Sequence, residues 1–140
     1  MRKKIYLAIL IIFTLCFLVF PFWLPANASS IKCVDGDTFA LGKTYYRLAY
    51  IDTPEKGQSN YKQASKFTCD WLKNNQFIIE KLGKDKYGRT LVSLWKLQRS
   101  YTDATPGVTL NELLIGKCLA EPFYGKTDKY ILNLYKTNCK

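Results

Sequence analysis

Short apolar runs separated by polar turns make up most of this chain, and only the first run is long. Residues 5–24 carry no charge, follow the basic Arg2, Lys3 and Lys4, and lead into Ala26-Asn27-Ala28. That order predicts a secretory signal peptide over residues 1–28, cleaved after Ala28. About 20 apolar residues also suffice to span a bilayer, so the alternative is an uncleaved anchor with the rest of the chain outside. Beyond it, residues 30–41 and 44–51 read as two strands joined by a turn at Gly42. Pro54 ends the second, because proline has no N–H to donate and restricts the residue before it. Ala64, Phe67, Trp71 and Leu72 recur at helical spacing and predict a helix over 61–73 with one apolar face. Residues 76–82 and 90–97 predict two more strands around a charged turn at 84–88, and 98–108 reads as a polar loop. Thr109-Leu110-Asn111-Glu112 has the capping-box pattern and opens a short helix through Ile115. Residues 118–122 predict a fifth strand, and Ile131, Leu132 and Tyr135 give a last helix its inward face. Five short strands with three helices predict an α+β fold, a small curled barrel. No repeat or second linker interrupts residues 29–140, which read as one domain.

Charge narrows the partners. The chain carries a formal net charge of +10. Removing residues 1–28 takes away three basic and no acidic groups, which leaves +7. A basic domain attracts polyanions, nucleic acid among them. A lysine-rich surface that serves only solubility accounts for the charge equally well. Beyond the leader stand Cys33, Cys69, Cys118 and Cys139, widely spaced and without a C-x-x-C pair. The chain has no histidine, which argues further against structural zinc. In an exported protein an even number of cysteines predicts two disulfides, with three connectivities open.

The missing histidine also removes Ser-His-Asp triads, imidazole acid–base chemistry and imidazole metal ligands. What remains is oxygen and guanidinium chemistry, concentrated in three segments: Asp35-Gly36-Asp37, Arg47 through Asp52-Thr53-Pro54-Glu55, and Asp85-Lys86-Tyr87-Gly88-Arg89. Asp37, Asp52 and the carbonyl of Thr53 can hold calcium, with waters completing its six to eight oxygens. A phosphodiester gathers negative charge as it becomes five-coordinate, and bidentate guanidiniums such as Arg47 and Arg89 match that geometry. Glu55, free of the metal, can orient or deprotonate a water. Lys86 offers a charge to a neighbouring phosphate, and Tyr87 and Tyr124 offer rings to a base. Singly, each of these has a plainer reading: Asp-Gly is a common turn, and an exposed arginine ion pair contributes less than about 1 kcal/mol. One geometric difficulty attends the set. In a flat strand Arg47 and Asp52 point to opposite faces, so they share a pocket only if the chain bends or bulges between them.

These three segments, in this order, resemble the signature motifs of the staphylococcal (thermonuclease-type) nucleases, and the likeness extends over nearly all of residues 30–135. The resemblance implies an OB-fold barrel of five strands with three helices, and calcium-dependent endonucleolytic hydrolysis of DNA and RNA that leaves 3′-phosphate ends. By motif position it implies Asp37, Asp52 and Thr53 as calcium ligands, with Asp35 supporting them. It implies Arg47 and Arg89 as phosphate-binding residues, Glu55 as general base, and Lys86, Tyr87 and Tyr124 as nucleotide contacts. Where the family has a second tyrosine, two residues after Tyr124, this chain has Lys126. The cysteines have no counterpart in the staphylococcal enzyme. Their places on the implied elements pair Cys33 with Cys69 and Cys118 with Cys139. The resulting expectation is a secreted, monomeric calcium-dependent nuclease. Its rival is a nuclease-like barrel that binds nucleic acid or protein without cutting, although relatives of that kind typically lack the site residues present here.

Overall fold

The computed structural model describes residues 30–97, 107–123, 127 and 129–140. The expected leader 1–28, most of the loop 98–108, and Tyr124 lie outside the described residues. Among the described residues no helix is long and apolar enough to cross a membrane.

The segment expected as one strand over 30–41 is two: β1 (Ile31–Cys33) and β2 (Thr38–Leu41), paired antiparallel. The reason is local. Asp35 accepts backbone hydrogen bonds from Asp37 (3.1 Å) and Thr38 (2.7 Å), while the N–H groups of Val34 and Asp35 both donate to the Thr38 carbonyl. An aspartate that caps its own turn folds the chain back on itself. The segment 44–51 likewise divides, into β3 (Thr44–Leu48) and β4 (Ile51–Asp52). Between them Tyr50 takes φ 67°, a left-handed conformation that costs a non-glycine residue about 1–2 kcal/mol.

Helix α1 (Tyr61–Asn74) buries Ala64, Thr68, Trp71 and Leu72, so the apolar spacing read from the sequence is its core face. Strands β5 (Phe77–Lys84) and β6 (Thr90–Lys96) form an antiparallel hairpin with a register shift between Lys81 and Gly83. Helix α2 (Leu110–Gly116) starts at a complete capping box: Thr109 Oγ1 accepts from the Glu112 N–H at 3.1 Å, and Glu112 Oε2 accepts from the Thr109 N–H at 2.7 Å. Of the strand expected over 118–122, only β7 (Glu121–Pro122) pairs, antiparallel to β4. Helix α3 (Lys129–Cys139) turns Ile131, Leu134 and Tyr135 toward the core. Leu132, expected on that face, is not part of the core cluster.

The main sheet has the order β1-β2-β3-β6-β5, with β3 and β6 parallel and the other pairs antiparallel. Hydrogen bonding does not close it into the expected barrel. Among the described residues β1 and β5 are its edges, and β4 with β7 forms a separate two-stranded ribbon. A three-residue β1 offers little ladder to an eight-residue β5, and α1 packs beside β1 instead. The core lies between the sheet and the helices, where Phe39, Leu48, Ile51, Leu72, Leu94 and Leu114 are essentially inaccessible. Two disulfides tie the outer elements down, Cys33–Cys69 joining β1 to α1 and Cys118–Cys139 joining the end of α2 to α3.

Candidate active site

The left-handed Tyr50 resolves the strand problem. It turns the chain between β3 and β4, and Arg47 reaches the carboxylates on both sides of the bend. Arg47 Nη1 donates to Asp37 Oδ1 at 2.8 Å and Nη2 to Asp52 Oδ1 at 2.5 Å. Asp37 ends the β1–β2 turn and is only 2 % exposed. Its Oδ1 also accepts from Thr38 Oγ1 (2.9 Å), and its Oδ2 from the Thr53 N–H (3.2 Å). Asp52, by contrast, stands at the solvent rim.

The third segment enters from the β5–β6 hairpin. Asp85 Oδ1 accepts from the backbones of Tyr87 and Arg89, both at 2.9 Å, and Oδ2 accepts from Arg89 Nε at 2.7 Å. Gly88, at φ 82°, supplies the left-handed step this tight turn needs. Held by Asp85, Arg89 donates through Nη1 to Thr38 Oγ1 at 3.3 Å, and that hydroxyl in turn donates to Asp37. One hydrogen-bonded path therefore runs Asp85–Arg89–Thr38–Asp37–Arg47–Asp52 and joins all three segments. Thr38, its middle link, carries no sequence signal beyond its place beside Asp37. Asp85 was visible only as the first letter of a motif, although the aspartate four residues before an arginine across a glycine turn is a readable positioning pair.

Beside this path opens a cleft of about 680 Å3, lined by Arg47, Glu55, Asp85, Lys86, Tyr87 and Arg89 among others. Glu55 is exposed there, and its backbone N–H is fixed by Gln58 Oε1 at 2.7 Å. Tyr87 is 73 % exposed, with Lys86 Nζ 5.0 Å and the Arg89 guanidinium 5.5 Å from its ring centre. Asp35 Oδ1 is engaged by the backbone N–H groups of Asp37 and Thr38. It shapes the turn that presents Asp37.

Electrostatics follow the burial. Loss of water raises the Asp37 carboxyl to about 6 against the pull of Arg47, with the Asp35 charge adding to the rise. Arg47 loses water too, yet its pKa is raised because Asp37, Asp52 and Asp35 together hold its proton. The two directions agree: the arginine feels three carboxylates, the aspartate one guanidinium. Burial alone would raise Asp85, but the hydrogen bonds from Arg89 and Tyr87 outweigh it, and its pKa is lowered.

Among the described residues no three His, Cys, Asp or Glu side chains gather as a ready metal cluster. The donors present nevertheless fit a hard cation. Asp37 and Asp52 present oxygens to a single positive group, and Thr53, bonded to Asp37 through its N–H, stands next to both. Two carboxylates, a backbone carbonyl and waters are a calcium-type ligand set, and calcium would compete with Arg47 for the same oxygens.

Two further residues hold the site from behind. Asn111, buried on α2, donates to the carbonyls of Ala49 (2.9 Å) and Val92 (3.2 Å) and accepts from the Leu94 N–H (3.3 Å). It thereby fixes the β3–β4 bend to β6. Thr68 on α1 donates to the Gly36 carbonyl at 2.6 Å and fixes the acidic turn. Neither was singled out from the sequence, where each is an ordinary polar residue within a helical pattern.

The chain is similar to the thermonuclease of Staphylococcus hyicus, 38 % identical over 77 residues that cover 46 % of each chain. Similarity to the thermonuclease of Staphylococcus intermedius is also 38 %, over 76 residues. To the micrococcal nuclease of Shigella flexneri it is 27 % over 112 residues, 76 % of this chain and 64 % of that one. The chain thus spans about half the length of the staphylococcal relatives it matches. The family profile of the staphylococcal nuclease homologues matches residues 45–139, the stretch that runs from β3, with Arg47, through the last helix, and the chain belongs to that family.

Proposed function

We propose that this protein is an exported, calcium-dependent endonuclease that hydrolyses phosphodiester bonds of DNA and RNA and leaves 3′-phosphate ends. Residues 29–140 are its catalytic domain, acting as a monomer, and residues 1–28 its signal peptide or, if retained, a membrane anchor. We read the curled sheet as the OB-type barrel of the family, its β1 and β5 edges unpaired among the described residues. The observation that carries the reading is the unbroken path from Asp85 to Asp52, which links two guanidiniums and three carboxylates beside one cleft. The names of the relatives, thermonuclease and micrococcal nuclease, support the same reading.

Asp37, Asp52 and the Thr53 carbonyl would hold calcium, and the bound ion would polarise a phosphate oxygen. Arg47 and Arg89 place donors where charge develops on the phosphoryl oxygens, which favours the transition state over the substrate. Asp85 orients Arg89, so this guanidinium meets the phosphate without first being ordered. Glu55, exposed on the cleft wall, takes the proton of the attacking water at its carboxylate. Lys86 neutralises an adjacent phosphate, while Tyr87 and Tyr124 contact bases.

The test is digestion of plasmid and single-stranded DNA by the purified protein, with calcium and then with chelator. Calcium-dependent cleavage with 3′-phosphate ends is the expected result. Well-folded protein that retains nucleic acid but cuts none of it would instead establish the non-catalytic binding module.

A further inference from the structure

Glu55 differs from the other carboxylates of the candidate site. Asp37, Asp52 and Asp85 each accept from a guanidinium, and Asp35 accepts from two backbone N–H groups. Among the described residues the Glu55 side chain enters no hydrogen bond or ion pair. A group that takes a proton from water has to stand within about 2.6–3.2 Å of it. With the side chain unheld, that placement falls to the backbone that carries it.

The backbone is clamped on both sides of Glu55. Upstream, the Thr53 N–H donates to Asp37 at 3.2 Å, and the ring of Pro54 fixes the next φ. Downstream, Gln58 serves both backbone groups of Glu55. Its Oε1 accepts from the Glu55 N–H at 2.7 Å, and its own N–H donates to the Glu55 carbonyl at 2.9 Å. Glu55-Lys56-Gly57-Gln58 thus closes as a turn, and Gly57 at φ 97° supplies the positive φ that a type II turn needs at its third residue. A Cβ on Gly57 would meet nothing within 4 Å, so this glycine serves conformation alone. The turn leads directly into α1, with the Tyr61 N–H 3.4 Å from the Gln58 carbonyl. Helix α1 is itself tied to the acidic turn by Thr68 and by the Cys33–Cys69 disulfide. The residues from Glu55 to Asn60 are exposed and take no part in the core. Water competes for every hydrogen bond in such a turn, so each adds little to stability. What the Gln58 side chain supplies is position.

We propose that Gln58 is the positioning residue for Glu55, holding this carboxylate at a set place beside Asp52 and Thr53 by closing the turn that carries it. The proposal rests on the reading of Glu55 as the base and deepens it, by naming what sets the geometry of that base. A proton acceptor with three free side-chain torsions keeps its aim at one water only if its Cα stays fixed relative to the neighbouring site residues. Gln58 does this without touching the substrate or the reacting atoms.

The experiment uses the full chain. In chelator, hydrogen exchange followed by NMR should show the Glu55 amide proton protected. The protection should be lost in Gln58→Met, which keeps the length of the side chain and deletes its acceptor, and should return in Gln58→Glu, which keeps an acceptor at the same reach. In saturating calcium with single-stranded DNA, Gln58→Met should lower kcat about 10–100-fold with KM nearly unchanged, since a displacement of about 1 Å spoils the alignment of base and water. Gly57→Ala meets no other residue and should act in the same direction through φ alone, while Gln58→Glu should recover most of the rate. In a Glu55→Gln background both losses should vanish, because groups that act as one unit are not additive. Full turnover in Glu55→Gln alone would remove the base and the proposal together. A crippled Glu55→Gln beside Gln58→Met and Gly57→Ala that cut at the wild-type rate would overturn the positioning role alone. Losses that persist in full in the Glu55→Gln background would overturn it as well.

Discussion

At Gly36 the space a side chain would need is already filled. A Cβ there would stand 2.7 Å from Thr53 Oγ1, 2.9 Å from Thr53 Cβ and 3.0 Å from Ala64 Cβ, so either the candidate calcium loop or α1 must retreat. Gly36→Ala should therefore destabilise the protein by about 1–3 kcal/mol and weaken calcium binding as well. Urea unfolding with calcium titration checks both, and loss of stability with unchanged affinity would place Thr53 outside the metal site. For Arg89 the expectation is different in kind. Its guanidinium is ordered by Asp85 rather than by the core, so Arg89→Ala should keep the fold while turnover falls about 10²–10³-fold. Full activity in that variant, with an unchanged circular dichroism spectrum, would move the phosphate site elsewhere. Asp85 adds a pH dependence. Its folded pKa is lowered, so the unfolded chain binds this proton first and stability from the group is complete above the ordinary aspartate value near 3.9. It is lost as pH falls through the depressed value. Asp85→Asn should thus unfold at lower temperature than the wild type at pH 7, and the gap should close on titration toward pH 2. A constant gap would mean that the effect is steric. Charge types were readable at these positions because a chain without histidine leaves so few groups able to do chemistry. Thr38 was not, since a hydroxyl becomes a relay only when folding sets an arginine and an aspartate on either side of it.

Elements explain what periodicity could and could not say. Two helices were legible almost to the residue, α1 by its apolar stripe and α2 by its capping box, whereas α3 was legible only as a face, with Leu132 expected where Leu134 packs. Both signals are local and survive without knowledge of the rest of the fold. The strands were legible as apolar runs but not as units, because the breaks at Asp35–Asp37 and at Tyr50 depend on turn hydrogen bonds and on a strained φ. A tyrosine gives no warning of a left-handed conformation. That bend is held by tertiary contacts, chiefly by Asn111, whose amide serves the Ala49 and Val92 carbonyls and the Leu94 N–H. Asn111→Leu would preserve volume but take this amide away from the Ala49 carbonyl and the Leu94 N–H, while the Val92 carbonyl keeps the Ala49 N–H at 2.9 Å. Each unsatisfied group costs about 1–3 kcal/mol, so a loss of at least about 2 kcal/mol is expected in denaturant unfolding. A variant as stable as the wild type would show that the bend is set by β4–β7 pairing alone.

For the whole molecule, the two disulfides separate global stability from local order. They close loops of 36 and 21 residues, and loop entropy makes these nearly equal, about 0.5 kcal/mol apart. Their surroundings are not equal. Cys33 ends β1 immediately before the turn that carries Asp35 and Asp37, and Cys69 follows Thr68, which hydrogen-bonds Gly36 in that same turn. Cys118 and Cys139 join the end of α2 to α3, elements that carry none of the cleft carboxylates. Replacing either pair by serines should lower stability by about 2–5 kcal/mol. Only Cys33→Ser with Cys69→Ser should also weaken calcium binding, because only this pair frees the strand from which Asp37 is presented. Calorimetric titration of both double variants, at a temperature where each is still folded, distinguishes these outcomes. Equal calcium affinity in the two would mean that Asp35, Thr68 and Gly36 fix the turn without the covalent tie, and that the Cys33–Cys69 bridge serves the fold as a whole.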